Sequence, residues 1–200
     1  MKVIIDVETT GFDPYRNDII SLAALLVDEK LRLVDEFYQT VQADTENQWY
    51  SEDAEKVHGF TKTHINSFQP VKEFQRRFLQ FLGPYKNMQM IYHARASFDW
   101  KFLLAHFVKT DNHYQLYKHV TGSNNLSTIS VARRHKVSLG LTSLSLDNLC
   151  RHIGFDLDHH NALSDAYGCF HVLRFFYKEL LWEDGVSTAS YVNSGSMKKT

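Results

Sequence analysis

The sequence has little of what marks several large protein classes. Its two cysteines, Cys150 and Cys169, stand 19 positions apart in apolar surroundings. That is neither a zinc-ribbon spacing nor a disulfide framework, and both read as buried thiols of a reducing compartment. Proline occurs 3 times, and 44% of the residues are hydrophobic against 22% charged, so long disorder is excluded. No apolar run approaches the ~20 residues needed to cross a bilayer, and Met1 to Asp6 reaches a charge too soon for a signal peptide. The expected location is the cytoplasm, with no membrane partner. There is no basic excess either: 22 Lys and Arg face 23 Asp and Glu, a formal charge of −1. A protein that coats duplex DNA through a broad basic face is thereby disfavoured, whereas an enzyme that grips one strand end is not.

What is present begins with length. Two hundred residues fit one ordinary core, with little room for a second. The 11 histidines and the 14% aromatic content suit a site that stacks bases and moves protons, although aromatic residues serve equally well as plain core.

Residues 2 to 8 read as a β-branched strand stopped by Thr9-Thr10-Gly11. Ile19 to Val27 and Leu31 to Val41 continue it as an antiparallel meander turning at Asp28-Glu29-Lys30. Pro70 opens a helical pattern closed by Gly83-Pro84; Met88 to Tyr92 reads as a buried strand, and Ser97 to Val108 as a helix with Ser97 as N-cap. Leu126 to His135, Leu144 to Ile153 and Asn161 to Leu181 carry further helical patterns. The class is mixed α/β. A folded unit over 1–182 and a flexible Ser-, Gly- and Lys-rich tail over 183–200 are expected.

Because strand side chains alternate, Asp6 and Glu8 project from one face of the first strand and Val3, Ile5 and Val7 from the other. Two carboxylates there call for cations. Oxygen donors suit Mg²⁺ or Mn²⁺, and paired ions ~3.5–4 Å apart stabilise both the attacking and the leaving oxygen in phosphodiester hydrolysis. Spacing alone does not single this pair out, since D-x-E also occurs at Asp44/Glu46 and Asp53/Glu55 in a polar stretch. Context does, because only Asp6 and Glu8 lie in an apolar strand, where unpaired carboxylates are costly.

Two further elements carry chemistry-bearing side chains: Phe98-Asp99 opening an apolar helix, and His160-Asn161-Ala162-Leu163-Ser164-Asp165-Ala166 opening the last one. Together with Asp6-Val7-Glu8-Thr9-Thr10-Gly11 and with His58-Gly59-Phe60-Thr61, they resemble the DEDDh branch of the RNase T-like 3′ to 5′ exonuclease superfamily, which includes proofreading subunits of bacterial DNA polymerases.

The resemblance implies a ribonuclease-H-like fold, a five-stranded mixed sheet flanked by helices with the carboxylates on the central strand. It implies two Mg²⁺ or Mn²⁺ ions, with Asp6, Glu8 and Asp165 on the first, and Asp6 bridging to the second near Asp99. His160 is implied as general base, consistent with an imidazole able to take a proton from water at neutral pH. Thr9, Thr10, Gly11 and Phe12 are expected to meet the terminal nucleotide, with His58 and Phe98 lining the pocket. Single-stranded 3′ ends, of DNA or RNA, are the expected partner, alongside a DNA polymerase if the role is proofreading.

Two positions depart from the family pattern. Aligned from Asp99, Ala94-Arg95 replace the usual His-Asn, with His93 displaced by one, and Ser127-Thr128 stands where the family often has Asp-Thr. The alternatives are a non-catalytic nucleic-acid-binding module of the same fold, an RNase T-like RNA-trimming enzyme, and a different hydrolase using the same metals.

Overall fold

The computed structural model describes residues 1–94 and 97–181, with side chains placed through Lys178. Arg95 and the expected tail at 183–200 lie outside the described residues. Five strands, β1 (Lys2–Thr9), β2 (Ile19–Val27), β3 (Leu33–Thr40), β4 (Gln89–Tyr92) and β5 (Leu126–Ser127), form one mixed sheet in the order β3-β2-β1-β4-β5. The β1–β2 and β2–β3 pairs are antiparallel, whereas β4 runs parallel to β1 and β5 parallel to β4. The first strand is therefore the central one.

Its alternation sets up the two sides of the sheet. Val3, Ile5 and Val7 pack with Phe74 and Phe78 of α3 (Val71–Leu82) and with Phe102, Leu103 and Phe107 of α4 (Phe98–Val108). Ile4 faces the other way and, with Ala23, Leu25 and Ile91, meets Ala166, Cys169, Phe170 and Leu173 of α8 (Ala162–Leu181). Every residue of β2 is buried, as a strand covered on both faces requires. A third cluster joins α6 (Thr128–His135), α7 (Leu146–Ile153) and α8 through Ala132, Leu149, Cys150, Val172 and Phe176. Both cysteines are buried free thiols. No described helix is long and apolar enough to cross a membrane.

The structure differs from the sequence expectations in four places. Short helices α1 (Glu52–His58), α2 (Lys62–Ser67) and α5 (His113–Tyr117) form where no element was assigned. Ser51 caps the first, accepting from the backbone N–H of Ala54, and Gly59 ends it at φ 74, a left-handed conformation that glycine takes without penalty. Leu31 lies in the β2–β3 turn at φ 54, where Asp28 collects the backbone N–H groups of Lys30 and Arg32, so the third strand starts at Leu33. Leu126-Ser127 is a two-residue strand beside β4 rather than a first helical turn. Ser97 occupies the N-cap position of α4 in left-handed geometry with no capping hydrogen bond, because its Oγ accepts from the Tyr92 hydroxyl at 2.8 Å.

Candidate active site

Beyond Ile4, the face of β1 that points at α8 carries Asp6 and Glu8. The first turn of α8 brings Asp165 to them, and carboxylate oxygens of Asp6, Glu8 and Asp165 lie within 4.8 Å of one another. The approach is fixed locally. Asn161 caps α8, its Oδ1 accepting from the N–H groups of Leu163 and Ser164 at 3.1 and 3.3 Å. His160 stands at φ 67 just before that cap, and its N–H donates to Asp165 Oδ2 at 3.1 Å. Asp99, the second residue of α4, is 3% exposed and acts electrostatically on Asp6 and Glu8 from beside the trio. Its Oδ2 has no hydrogen-bond partner.

Four carboxylates in one partly dry place oppose one another's ionisation. Burial raises Asp6 well above the usual carboxylate range, and Asp99, Asp165 and Glu8 add to the rise. Burial, Asp165 and Asp99 push Glu8 to about 8. Asp99 is pushed to about 7 by burial, although hydrogen bonds from its own backbone N–H and that of Val7 pull the other way. Asp165 is raised by burial too, while its bond with His159 opposes the shift. An all-oxygen donor set, mutually repelling and with one buried oxygen left without a partner, fits hard divalent cations of the Mg²⁺ or Mn²⁺ type.

These shifts also set the pH dependence of the metal-free protein. Folded Glu8 and Asp99 bind protons up to about 8 and about 7, against 4.5 and 3.8 as ordinary groups, so the folded state holds more protons than the unfolded one in between. Stability must therefore fall as pH rises through that window. Between about pH 4 and 6.5 the unfolded chain gains protons at His93 and His106, which burial lowers to about 4, so the two effects offset each other and the dependence flattens there. Thermal melts with chelator are expected to show stability falling by ~1–2 kcal/mol between pH 7 and pH 9, with a flatter dependence below about pH 6.5. Saturating Mg²⁺ should flatten the alkaline side. A metal-free protein equally stable at pH 7 and 9 would contradict the clustering.

His160 is exposed, and its imidazole is shifted below the ordinary histidine value by burial and by His159, against the pull of Asp165. The shift favours the neutral imidazole. His159 is a residue that sequence reasoning did not select. Its Nδ1 lies 3.0 Å from Asp165 Oδ1, and its ring stacks on that of His160 with centroids 3.9 Å apart. Only the left-handed turn at His160 makes this possible, and spacing gives no sign of it.

Thr9, Thr10 and Gly11 follow β1 after an irregularity in pairing between Glu8 and Thr9. Thr9 Oγ1 donates to Gly11 O at 2.6 Å, Thr10 Oγ1 accepts from Asp18 N at 3.0 Å, and Thr10 O accepts from Ser51 N at 2.9 Å. Asn17 Nδ2 bonds the carbonyls of Thr10 and Trp49 so close to Gly11 that a Cβ there would come within 2.6 Å of the Asn17 side chain. This turn is thus held rigidly, and Phe12 projects from it 77% exposed. His58 is buried, its Nδ1 accepting from Phe60 N at 3.0 Å while Nε2 has no partner. Phe98 packs on Phe102, ring centroids 4.6 Å apart, at the edge of the first core cluster.

The two departures have structural roles. His93 ties β4 to the helices beyond it, with Nδ1 2.7 Å from Thr128 Oγ1 and Nε2 3.0 Å from Leu144 O. Ser127 Oγ donates to Ala94 O at 2.9 Å. The other two D-x-E pairs are local: Asp44 accepts from the Glu46 N–H, and Asp53 pairs with Lys56 at 2.8 Å.

The RNase_T family, described as exonuclease, matches residues 3–173. DNA polymerase III subunit epsilon of Aquifex aeolicus is 27% identical over 191 residues, covering 92% of this chain and 84% of that protein. A PolC-type DNA polymerase III of Thermotoga petrophila is 28% identical over 198 residues, 96% of this chain but 13% of the relative, so the chain spans about an eighth of that polymerase's length. Among solved structures, E. coli exonuclease I in complex with a dT13 oligonucleotide superposes with a TM-score of 0.74 at 14% identity, over 92% of this chain and 43% of the other. That likeness concerns the fold, which is the ribonuclease-H-like arrangement expected from the sequence.

Proposed function

The chain belongs to the RNase_T exonuclease family, and from that premise we propose that it hydrolyses single-stranded nucleic acid from the 3′ end, one nucleotide at a time, releasing nucleoside 5′-monophosphates. The observation that carries this reading is the meeting of Asp6, Glu8 and Asp165, with buried Asp99 beside them. Such a set is electrostatically unfavourable until divalent cations join it. Two bound Mg²⁺ or Mn²⁺ ions would supply positive charge for the scissile phosphate and a readily deprotonated water.

The side chains divide the remaining work. Asp6, Glu8 and Asp165 would hold the first cation, and Asp6 and Asp99 would contribute to the second. His160, at the solvent edge, takes the proton from the attacking water onto its imidazole. The rigid Thr9-Thr10-Gly11 turn positions the terminal nucleotide, and exposed Phe12 stacks against its base; His58 and Phe98 line the same pocket. DNA is favoured over RNA because the similar exonuclease I binds a dT13 oligonucleotide and the similar chains are DNA polymerase III components. Those components also make a DNA polymerase the natural protein partner, with the described unit serving as proofreading module.

The test is a time course on 5′-labelled single-stranded DNA and RNA with Mg²⁺, with Mn²⁺ and with chelator. A metal-dependent ladder that shortens by single nucleotides, faster on DNA, is expected. Strand binding without cleavage would instead establish a non-catalytic module, and no binding would point to another phosphodiester.

A further inference from the structure

Two sets of metal-ligating atoms overlap at Asp165. One is the oxygen-only set of Asp6, Glu8 and Asp165; the other is His159, His160 and Asp165, whose ligand atoms also lie within 4.8 Å of one another. His159 has no part in the reaction described above. Its place in the second set follows from the backbone. Neighbouring side chains of an extended chain point to opposite sides, but at φ 67 His160 turns the chain so that both imidazoles lie on the Asp165 side; they stack with planes 25° apart, and because an ion lies in the plane of each ring that ligates it, one exposed ring turns about its side-chain bonds when both hold one ion. The segment is braced at both ends, with Asp158 N–H donating to Ser164 Oγ at 2.9 Å and His160 N–H to Asp165 Oδ2. Both rings are exposed, so an ion from solvent reaches them without any opening of the fold.

The two sets differ in donor chemistry. Carboxylates alone suit Mg²⁺ and Mn²⁺, whereas two imidazoles and one carboxylate are the three protein ligands of an open, four-coordinate zinc site. We propose that His159, His160 and Asp165 form a Zn²⁺ site that takes His160 out of the reaction, so that zinc switches the enzyme off. Asp165 can give one oxygen to each set, so the inhibition falls on His160, which on zinc has no nitrogen lone pair left to accept a proton from water. The binding half of this inference stands on geometry alone; the inhibition half rests on the exonuclease reading.

Binding is tested by calorimetric titration of Zn²⁺ into the magnesium-free wild type, His159→Asn and Asp6→Asn, with Co²⁺ as a visible-absorbing substitute. One Zn²⁺ per chain is expected in the wild type. His159→Asn should weaken it at least ~100-fold, since even partners outside the ligand set are worth about 10–100-fold. Asp6→Asn should leave it within a few-fold, and the Co²⁺ spectrum should show nitrogen-ligated, four-coordinate metal that disappears in His159→Asn. Inhibition is then read as the zinc concentration that halves the Mg²⁺-supported rate, relative to each protein's own zinc-free rate. That concentration should rise at least ~10-fold in His159→Asn, following the loss of binding. Zinc binding lost in Asp6→Asn and kept in His159→Asn would place zinc in the oxygen-only set and overturn the proposal, as would equal zinc sensitivity of the two cleavage rates. Absence of any Mg²⁺-supported cleavage would refute the exonuclease reading, while the titrations would still decide the zinc site.

Discussion

Asp6→Asn is expected to yield a chain that folds at least as well as the wild type and cuts at least ~10³-fold more slowly, the equivalent of several kcal/mol of lost transition-state stabilisation. Both halves have one cause. Asp6 is opposed by Asp99, Asp165 and Glu8 on top of its burial, so its charge is disfavoured in the metal-free protein. A neutral amide of nearly the same shape relieves that repulsion in the metal-free protein. It also removes the carboxylate assigned to both cations. Melting curves with and without Mg²⁺ separate the effects: the metal-free midpoint should hold or rise, while the increase that Mg²⁺ gives the wild type should largely vanish. A variant that kept more than a tenth of the wild-type rate would remove Asp6 from the metal centre.

His160→Ala is expected to lose ~10²–10⁴-fold in kcat, the range of a positioned general base. The oxygen-only set does not include this residue, so Mg²⁺ binding should be unchanged. The side chain is exposed, and stability should stay within about 0.5 kcal/mol. The pH profile gives the sharper readout. In the wild type the rate should climb as the imidazole loses its proton, below the ordinary histidine value, and then level off. The variant should lack that limb. An unaltered profile would show that water loses its proton elsewhere.

Much of this site is legible in the sequence because it lies in regular structure. Period-two alternation places Asp6 and Glu8 together opposite Val3, Ile5 and Val7, and the apolar context separates them from the two decoy D-x-E pairs. The long apolar periodicity after Asn161 places Asp165 in a first helical turn. Positions governed by a single left-handed residue are not legible in the same way. At Ser97 a residue of capping type sits at the cap position, yet its hydroxyl is taken by Tyr92, a tertiary contact that no local rule anticipates. At His160 the same conformation brings His159 onto Asp165, although neighbours in sequence ordinarily diverge. The short helices between β3 and α3 carry their own signals, Ser51 ahead of an acidic turn and Gly59 behind it, but too little apolar periodicity to stand out from a polar stretch.

The order of the chain has a consequence for biosynthesis. Asp6 and Glu8 are made first of the four carboxylates, in a meander whose strands pair with near neighbours, and Asp99 follows with α4. Asp165 arrives only with α8, which also covers Ile4, Ala23 and Leu25 on the same side of the sheet. A nascent chain therefore lacks one ligand, and the shelter of its neighbours, until its last described helix docks. Under the proposed reading, metal-dependent cleavage waits on α8, whose docking completes the core and the carboxylate set in one event.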